Sequence, residues 1–400
     1  MIKLHSQVLQ QTIEVERIIG KYQGNQKGPT LIFMAGIHGN EPSGVFAIKT
    51  VLDELEGKKA NVAGTVYAIC GNLGALETGV RYQQIDLNRI WTHDKIDAHK
   101  QQVSEDLEHE LSEQIDVYNS IQQILNTENG PFYFFDLHTT SSETSPFLTV
   151  NDSLLNRQFT RQYPVPIILG IEEYLEGPIL SYINELGYVA FGFEGGQHNS
   201  PLAFQNHKSF VYVSLVLTGC MTPLEGEFLY HQHMLSKSWD LPQTFYEIVY
   251  HYSIPPMESF TMRPGYTNFQ KISKNECLAI ANEQVIQAPV AGNIFMPLYQ
   301  GKGQDGFFIV KKVPRIFLRL SSLLRKIYFD RWLALLPGVR WSSPSRTSLE
   351  VNLKVARFFT RNFFHLLGYR NKKQDHTHLI VKNRETASRR SDYKNEKWYR

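Results

Sequence analysis

Along the chain, short and strongly apolar runs alternate with longer stretches in which apolar residues recur at helical spacing. The runs at 30–36 (TLIFMAG), 65–70 (TVYAIC), 131–138 (PFYFFDLH) and 188–194 (YVAFGFE) predict buried strands. Apolar positions 45, 48, 51, 52 and 55 predict a helix that stops at Gly57. Leu107, Leu111, Ile115, Tyr118, Ile121 and Leu125 form the stripe of a second helix over 104–125. Further helices are expected over 178–186 and 203–219, and an edge strand or hairpin within 1–27. Strands separated by helices in this order predict an α/β fold. After a polar linker at 231–243 the texture changes. Residues 244–312 carry short alternating runs (FYEIVYHY, CLAIA, FFIVKKV) broken by Pro-Gly, Ala-Gly and Asp-Gly, which predicts a small β module. From 314 onward two basic, aromatic, helix-like segments lead into a polar tail at 369–400. The expected organisation is therefore 1–230, 244–312 and 313–400.

Candidate chemistry sits where the apolar runs end. The turn after 31–34 delivers His38 and Glu41, with Pro42 opening the next helix and Asn40 as its expected cap. The strand at 131–138 delivers Asp136 and His138, two apart and so on one side of an extended chain. Two imidazoles and a carboxylate form a zinc set that leaves one position open for water. Asp136 is suited to orient His138 from behind. The loop at 81–89 (RYQQIDLNR) adds Arg81, Asn88 and Arg89, and the last strand finishes in Glu194 before two glycines. His231 and His233 lie in the expected linker without an acidic partner and are read as surface histidines.

GIHGNE at 36–41, RYQQIDLNR at 81–89, DLHTT at 136–140 and FEGGQ at 193–197 stand in the order found in the succinylglutamate desuccinylase/aspartoacylase family. The chain resembles that family well over 28–200 and loosely over 245–310. The resemblance implies a zinc carboxypeptidase-like mixed sheet flanked by helices, and a small C-terminal β domain that narrows the active-site entrance. The basic helical extension has no counterpart among the family's motifs. It also implies one zinc ion per chain on His38, Glu41 and His138, acting in the hydrolysis of the amide bond of an N-acyl amino acid. Glu194 would serve as general base and then acid on the zinc-bound water. Arg81 and zinc would stabilise the oxyanion, while Asn88 and Arg89 would hold a substrate carboxylate. Two departures matter. Aspartoacylases carry an additional carboxylate-binding Arg where Asn184 stands here, and Phe307 and Phe308 are the nearest match to their β-domain Tyr. The acyl group therefore stays open.

Charge adds a second theme. Residues 311–400 hold 22 Lys and Arg against 6 Asp and Glu, a net of +16, whereas residues 1–310 carry −14. The expected explanation is a basic extension packed on an acidic body, with its apolar faces fixing the dock and the end beyond 371 left loose. Nucleic acid is not the expected partner, and a homo-oligomer is left open. The three cysteines, Cys70, Cys220 and Cys277, are far apart and form no CxxC pair, which fits a reducing compartment. With no signal-like N-terminus and no membrane-spanning apolar run, the expected location is cytoplasmic. Two alternatives are a zinc carboxypeptidase acting on peptides and a non-catalytic binding protein that uses the basic extension.

Overall fold

The computed structural model describes residues 1–101, 109–237, 243–335, 337–342, 347–352, 354–355, 367–374 and 378–399. Ile2–Ser6 (β1) and Gln11–Val15 (β2) pair as a hairpin. Ile18–Gln23 (β3), Gln26–Ala35 (β4), Ala63–Cys70 (β5), Phe132–Thr140 (β6), Phe147–Val150 (β7), Ile167–Leu169 (β8) and Val189–Gln197 (β9) follow. The later chain adds Phe245–Ser253 (β10), Phe260–Met262 (β11), Lys271–Ile272 (β12), Cys277–Ala281 (β13), Gln284–Gln287 (β14), Gly292–Phe295 (β15) and Asp305–Lys312 (β16). Among the described residues, eleven of these strands form one mixed sheet in the order β12-β15-β16-β10-β8-β7-β9-β6-β4-β5-β3. The stretch at 244–312 thus divides. Four of its strands extend the central sheet, and β11, β13 and β14 form a separate sheet of three.

The four central strands β5, β4, β6 and β9 run parallel, and helices cover both faces. Leu31, Phe33 and Ala35 of β4 enter one core with the helices Ser43–Lys58 and Pro201–Leu217. Ile32 and Met34 enter the other with His109–Thr127 and Ile179–Glu185. A strand buried on both sides needs apolar residues at every position, which is why these segments read as continuous runs. The helix expected to stop at Gly57 continues to Lys58 and closes at Lys59 in the left-handed region (φ 48°). The first residues of the helix expected at 104–125 lie outside the described residues. No described helix is long and apolar enough to cross a membrane.

The extension departs from expectation in two ways. Its helix Arg315–Lys326 leads into a four-stranded sheet of Val339–Trp341 (β17), Ser348–Asn352 (β18), Tyr369–Gln374 (β19) and His378–Asn383 (β20), with its own small core around Leu349, Val351 and Val381. The contacts with the body centre on buried charge. Arg325 donates to the Asp152 carboxylate (2.8 Å) and carbonyl (2.9 Å), and Arg384 pairs with Asp152 (3.3 Å), Glu172 (3.0 Å) and Glu173. Phe317 and Trp332, expected to fix the dock, are exposed. Phe358, Phe359, Phe363 and Phe364 lie outside the described residues.

The polar end is not the loose part either. Tyr393 and Trp398 are buried in the main core. The Tyr393 hydroxyl donates to the Phe132 carbonyl and accepts from the Val189 amide (3.0 Å), and Trp398 Nε1 donates to the Tyr133 hydroxyl (2.9 Å). Two large aromatic side chains are enough to anchor a polar segment, since each removes a large apolar area from water and still satisfies its polar atom.

Candidate active site

All four motifs converge at the carboxyl ends of the parallel strands, the rim at which open α/β sheets place ligands. After β4 the chain turns at Gly36 (φ +68°). Gly39 then presses against the Leu73–Thr78 helix, where a Cβ would lie 2.0 Å from a backbone carbon of Ala75. That tight turn aims His38 and Glu41 inward. Asn40 is not the cap of the following helix, which begins at Ser43 with Pro42 at its N-cap and no side-chain cap. Its amide instead donates to Gln300 Oε1 (2.8 Å).

The Glu41 carboxylate sits between two imidazoles, with Oε1 2.9 Å from His38 Nδ1 and Oε2 3.1 Å from His138 Nδ1. Burial would raise its pKa, but the two imidazoles more than offset that and hold it well below the usual range. On the far side, His138 Nε2 meets Asp136 Oδ2 at 2.7 Å and His38 Nε2 meets Asp86 Oδ1 at 3.2 Å. A carboxylate behind each ring fixes the Nε2–H tautomer and turns an Nδ1 lone pair toward the cluster when the ring is neutral. Ligand atoms of His38, Glu41 and His138 lie within 4.8 Å of one another, the one such group among the described residues. Donor types, convergence and backing carboxylates all fit a zinc ion.

Glu194 is the register partner of His138 across the β6–β9 pair, so the two side chains stand together at the rim. It is buried, and its Oε2 has no hydrogen-bond partner among the described residues. Burial pushes its pKa up to about 8, with His138 opposing and Glu41 and Asp136 adding to the rise. Arg81 reaches Asp86 (3.1 Å) and Glu41 (3.6 Å), while Asp86 also caps the short turn Leu87–Arg89 through the Asn88 amide (2.9 Å). Asn88 Oδ1 accepts from the Ile179 amide (2.9 Å), and Arg89 pairs with Asp305 (2.7 Å), which also meets His251 (2.8 Å).

All eight candidate residues except Asp136 line one cavity of about 120 Å³, and Asp136 backs it through His138. Ile171, Leu175, Leu180, Met296, Leu298 and Phe308 make much of the remaining wall. Asn184 is not part of it; its carboxamide bonds Leu180, Ala190 and Asn156. His231 and His233 lie on a helix, Phe228–Ser236, rather than in a linker. His231 is buried, stacks on Tyr212 at 4.5 Å, and is pushed down to about 4 by burial, so it is neutral. Sequence reasoning missed Asp86, Asp305 and His207. Asp86 stood inside the quoted RYQQIDLNR string. His207 is also pushed down to about 4 by burial. Its Nε2 donates to the His138 carbonyl (2.9 Å), leaving Nδ1 to accept from the Ser43 hydroxyl (3.0 Å), so it braces the ligand strand.

Residues 27–204 match the succinylglutamate desuccinylase/aspartoacylase catalytic domain. A succinylglutamate desuccinylase from Pseudoalteromonas atlantica is 29% identical over 112 residues, spanning 27% of this chain and 31% of that relative. The fold is shared with a succinylglutamate desuccinylase/aspartoacylase from Rhodobacter sphaeroides (TM-score 0.54, 14% identity, 73% of this chain and 88% of the other). It is shared as well with a succinylglutamate desuccinylase from Vibrio cholerae (TM-score 0.52, 16% identity, 78% and 91%). The resemblance carried by the four motifs is thus to the succinylglutamate desuccinylase/aspartoacylase family, and it centres on residues 27–204.

Proposed function

We propose that the protein hydrolyses the amide bond of an N-acyl amino acid, releasing a carboxylic acid and a free amino acid. The observation that carries this reading is Glu194, a buried carboxylate with one oxygen that has no partner among the described residues, standing in register with His138 beside a His–Glu–His cluster. Zinc held by His38, Glu41 and His138 would supply Lewis acidity that makes a water nucleophilic at neutral pH. Glu194 takes the proton of the attacking water and delivers it to the leaving nitrogen, the ordinary duty of a carboxylate beside a nucleophilic water. Arg81 meets the negative charge that develops on the acyl oxygen. Asp86 and Asp136 hold the two imidazoles in one orientation.

Arg89 and Asn88 are the proposed seat of the substrate carboxylate. Arg89 carries Asp305 as its counter-ion in this structure, so a substrate must displace or share that partner. With Asn184 turned away and Ile171, Leu175, Leu180, Met296, Leu298 and Phe308 in the wall, the reading is of a neutral acyl group rather than one bearing a second carboxylate. Residues 296–308 close one side of the cavity, and Gln300 and Asp305 tie them to Asn40 and Arg89. That enclosure supports a small substrate over a peptide. Turnover by the zinc-loaded protein, compared across N-acyl amino acids with neutral and dicarboxylic acyl groups, is the test. Neutral acyl groups should be preferred and amidated substrates should be poor. Trimming of peptides with no turnover of N-acyl amino acids would transfer the reading to a carboxypeptidase.

A further inference from the structure

The helix Arg315–Lys326 carries an apolar face that no other described residue covers. Ile316, Leu320, Leu323 and Ile327 follow one another at spacings of four, three and four, so they form one apolar stripe. An amphipathic helix of a globular protein ordinarily buries such a stripe against its own core. Here the stripe faces out: Ile316 is 71% exposed, Leu323 57% and Ile327 58%. The helix meets the body with a different side, on which Ser321 and Arg325 are buried and Leu318 packs against the main core. Beyond the helix, Trp332 (65%) and Leu335 (76%) are exposed as well.

The charges beside the stripe say what covers it. Arg315, Arg319 and Lys326 fall on one flank of it by helical geometry and are exposed, and exposed Lys311 and Lys312 precede the helix. Residues 311–329 contain no Asp or Glu. Two copies apposed through this face would bring those cations together without a counter-charge. We propose that the face is a docking site for an anionic lipid bilayer, with the stripe set into the headgroup boundary and the cations on the acidic headgroups. The division between a −14 body and a +16 extension turns the extension toward such a surface before contact. Nothing in this proposal depends on the reaction assigned to the cavity.

The test is co-sedimentation of the full-length protein with vesicles of phosphatidylcholine alone and of phosphatidylcholine mixed with phosphatidylglycerol. The protein should bind the anionic vesicles and release them as salt rises. Leu320→Glu with Leu323→Glu should reduce binding at least tenfold while leaving the melting temperature within error, since both side chains are exposed. Arg319→Gln and Lys326→Gln should each weaken binding about fivefold. Equal binding to both vesicle types, binding to neither, or full binding by the Leu320→Glu/Leu323→Glu protein would overturn the proposal. So would a solution dimer abolished by Leu323→Glu in a protein that ignores vesicles.

Discussion

The rim of the central sheet and the seat of the C-terminal extension both bury charge, and they do so to different ends. At the rim, Glu41, Asp86, Asp136 and Glu194 surround two imidazoles and an arginine, and one oxygen each of Asp136 and Glu194 has no partner among the described residues. At the seat, Asp152 is enclosed by Arg157, Arg325 and Arg384, whose charges overcome the effect of burial and hold its carboxyl below the ordinary range. The first arrangement keeps those oxygens available, which suits the proposed metal and proton chemistry. The second is closed, ion to ion, and its work is attachment. What separates the two places is what faces the central carboxyl: arginines hold both oxygens of Asp152, whereas imidazoles and other carboxylates surround Glu194.

Breaking the closed cluster should have the largest effect. Asp152→Ala leaves arginines buried with too few anions and is expected to cost roughly 3–5 kcal/mol, read by denaturant melting of the full chain. The pH dependence has a definite sign. Because the folded pKa of Asp152 lies below the unfolded value of about 3.9, its contribution is full above that pH and is lost as the pH falls through it. The gap between the wild type and Asp152→Asn should therefore narrow in acid. Trp398→Ala should cost about as much, roughly 3–5 kcal/mol, if the polar end is an anchor; a change below about 0.5 kcal/mol, the scale of surface substitutions, would return that end to the status of a loose tail.

Effects at the rim should fall on metal and substrate rather than on stability. Asp86→Asn keeps the size of the side chain but weakens the hold on His38 Nε2, and should lower zinc affinity roughly 10–100-fold, measured by competition with a chelator. Unchanged affinity would make Asp86 a partner of Arg81 alone. Arg89→Lys loses the planar fork and should raise KM for the best N-acyl amino acid with little change in kcat. An unchanged KM would place the substrate carboxylate elsewhere.

The same contrast explains what could be read from the sequence. His38, Glu41, His138 and Glu194 were legible because each follows directly on an apolar run, and a strand end fixes where its next residues point. That β4 is a buried strand was legible for the same local reason. Asp305 was not, because its pairing with Arg89 spans 216 residues and leaves no periodic signal. The seat of the extension inverted the expectation, since Arg325 and Arg384 look like surface cations until Asp152 is placed between them. Tyr393 and Trp398 were hidden by the polar residues around them, and composition averages away two anchors in thirty positions.

The central claim is that Glu194 carries the proton in a metal-assisted hydrolysis. Its most direct test is kcat of Glu194→Gln, measured together with bound zinc, on the best substrate of the wild-type protein. The expected result is full zinc occupancy, an unchanged melting temperature and a fall in kcat of about 10²–10⁴. Near-normal kcat at full occupancy would contradict the account and move the proton to another carboxylate, with Asp136 the first to examine.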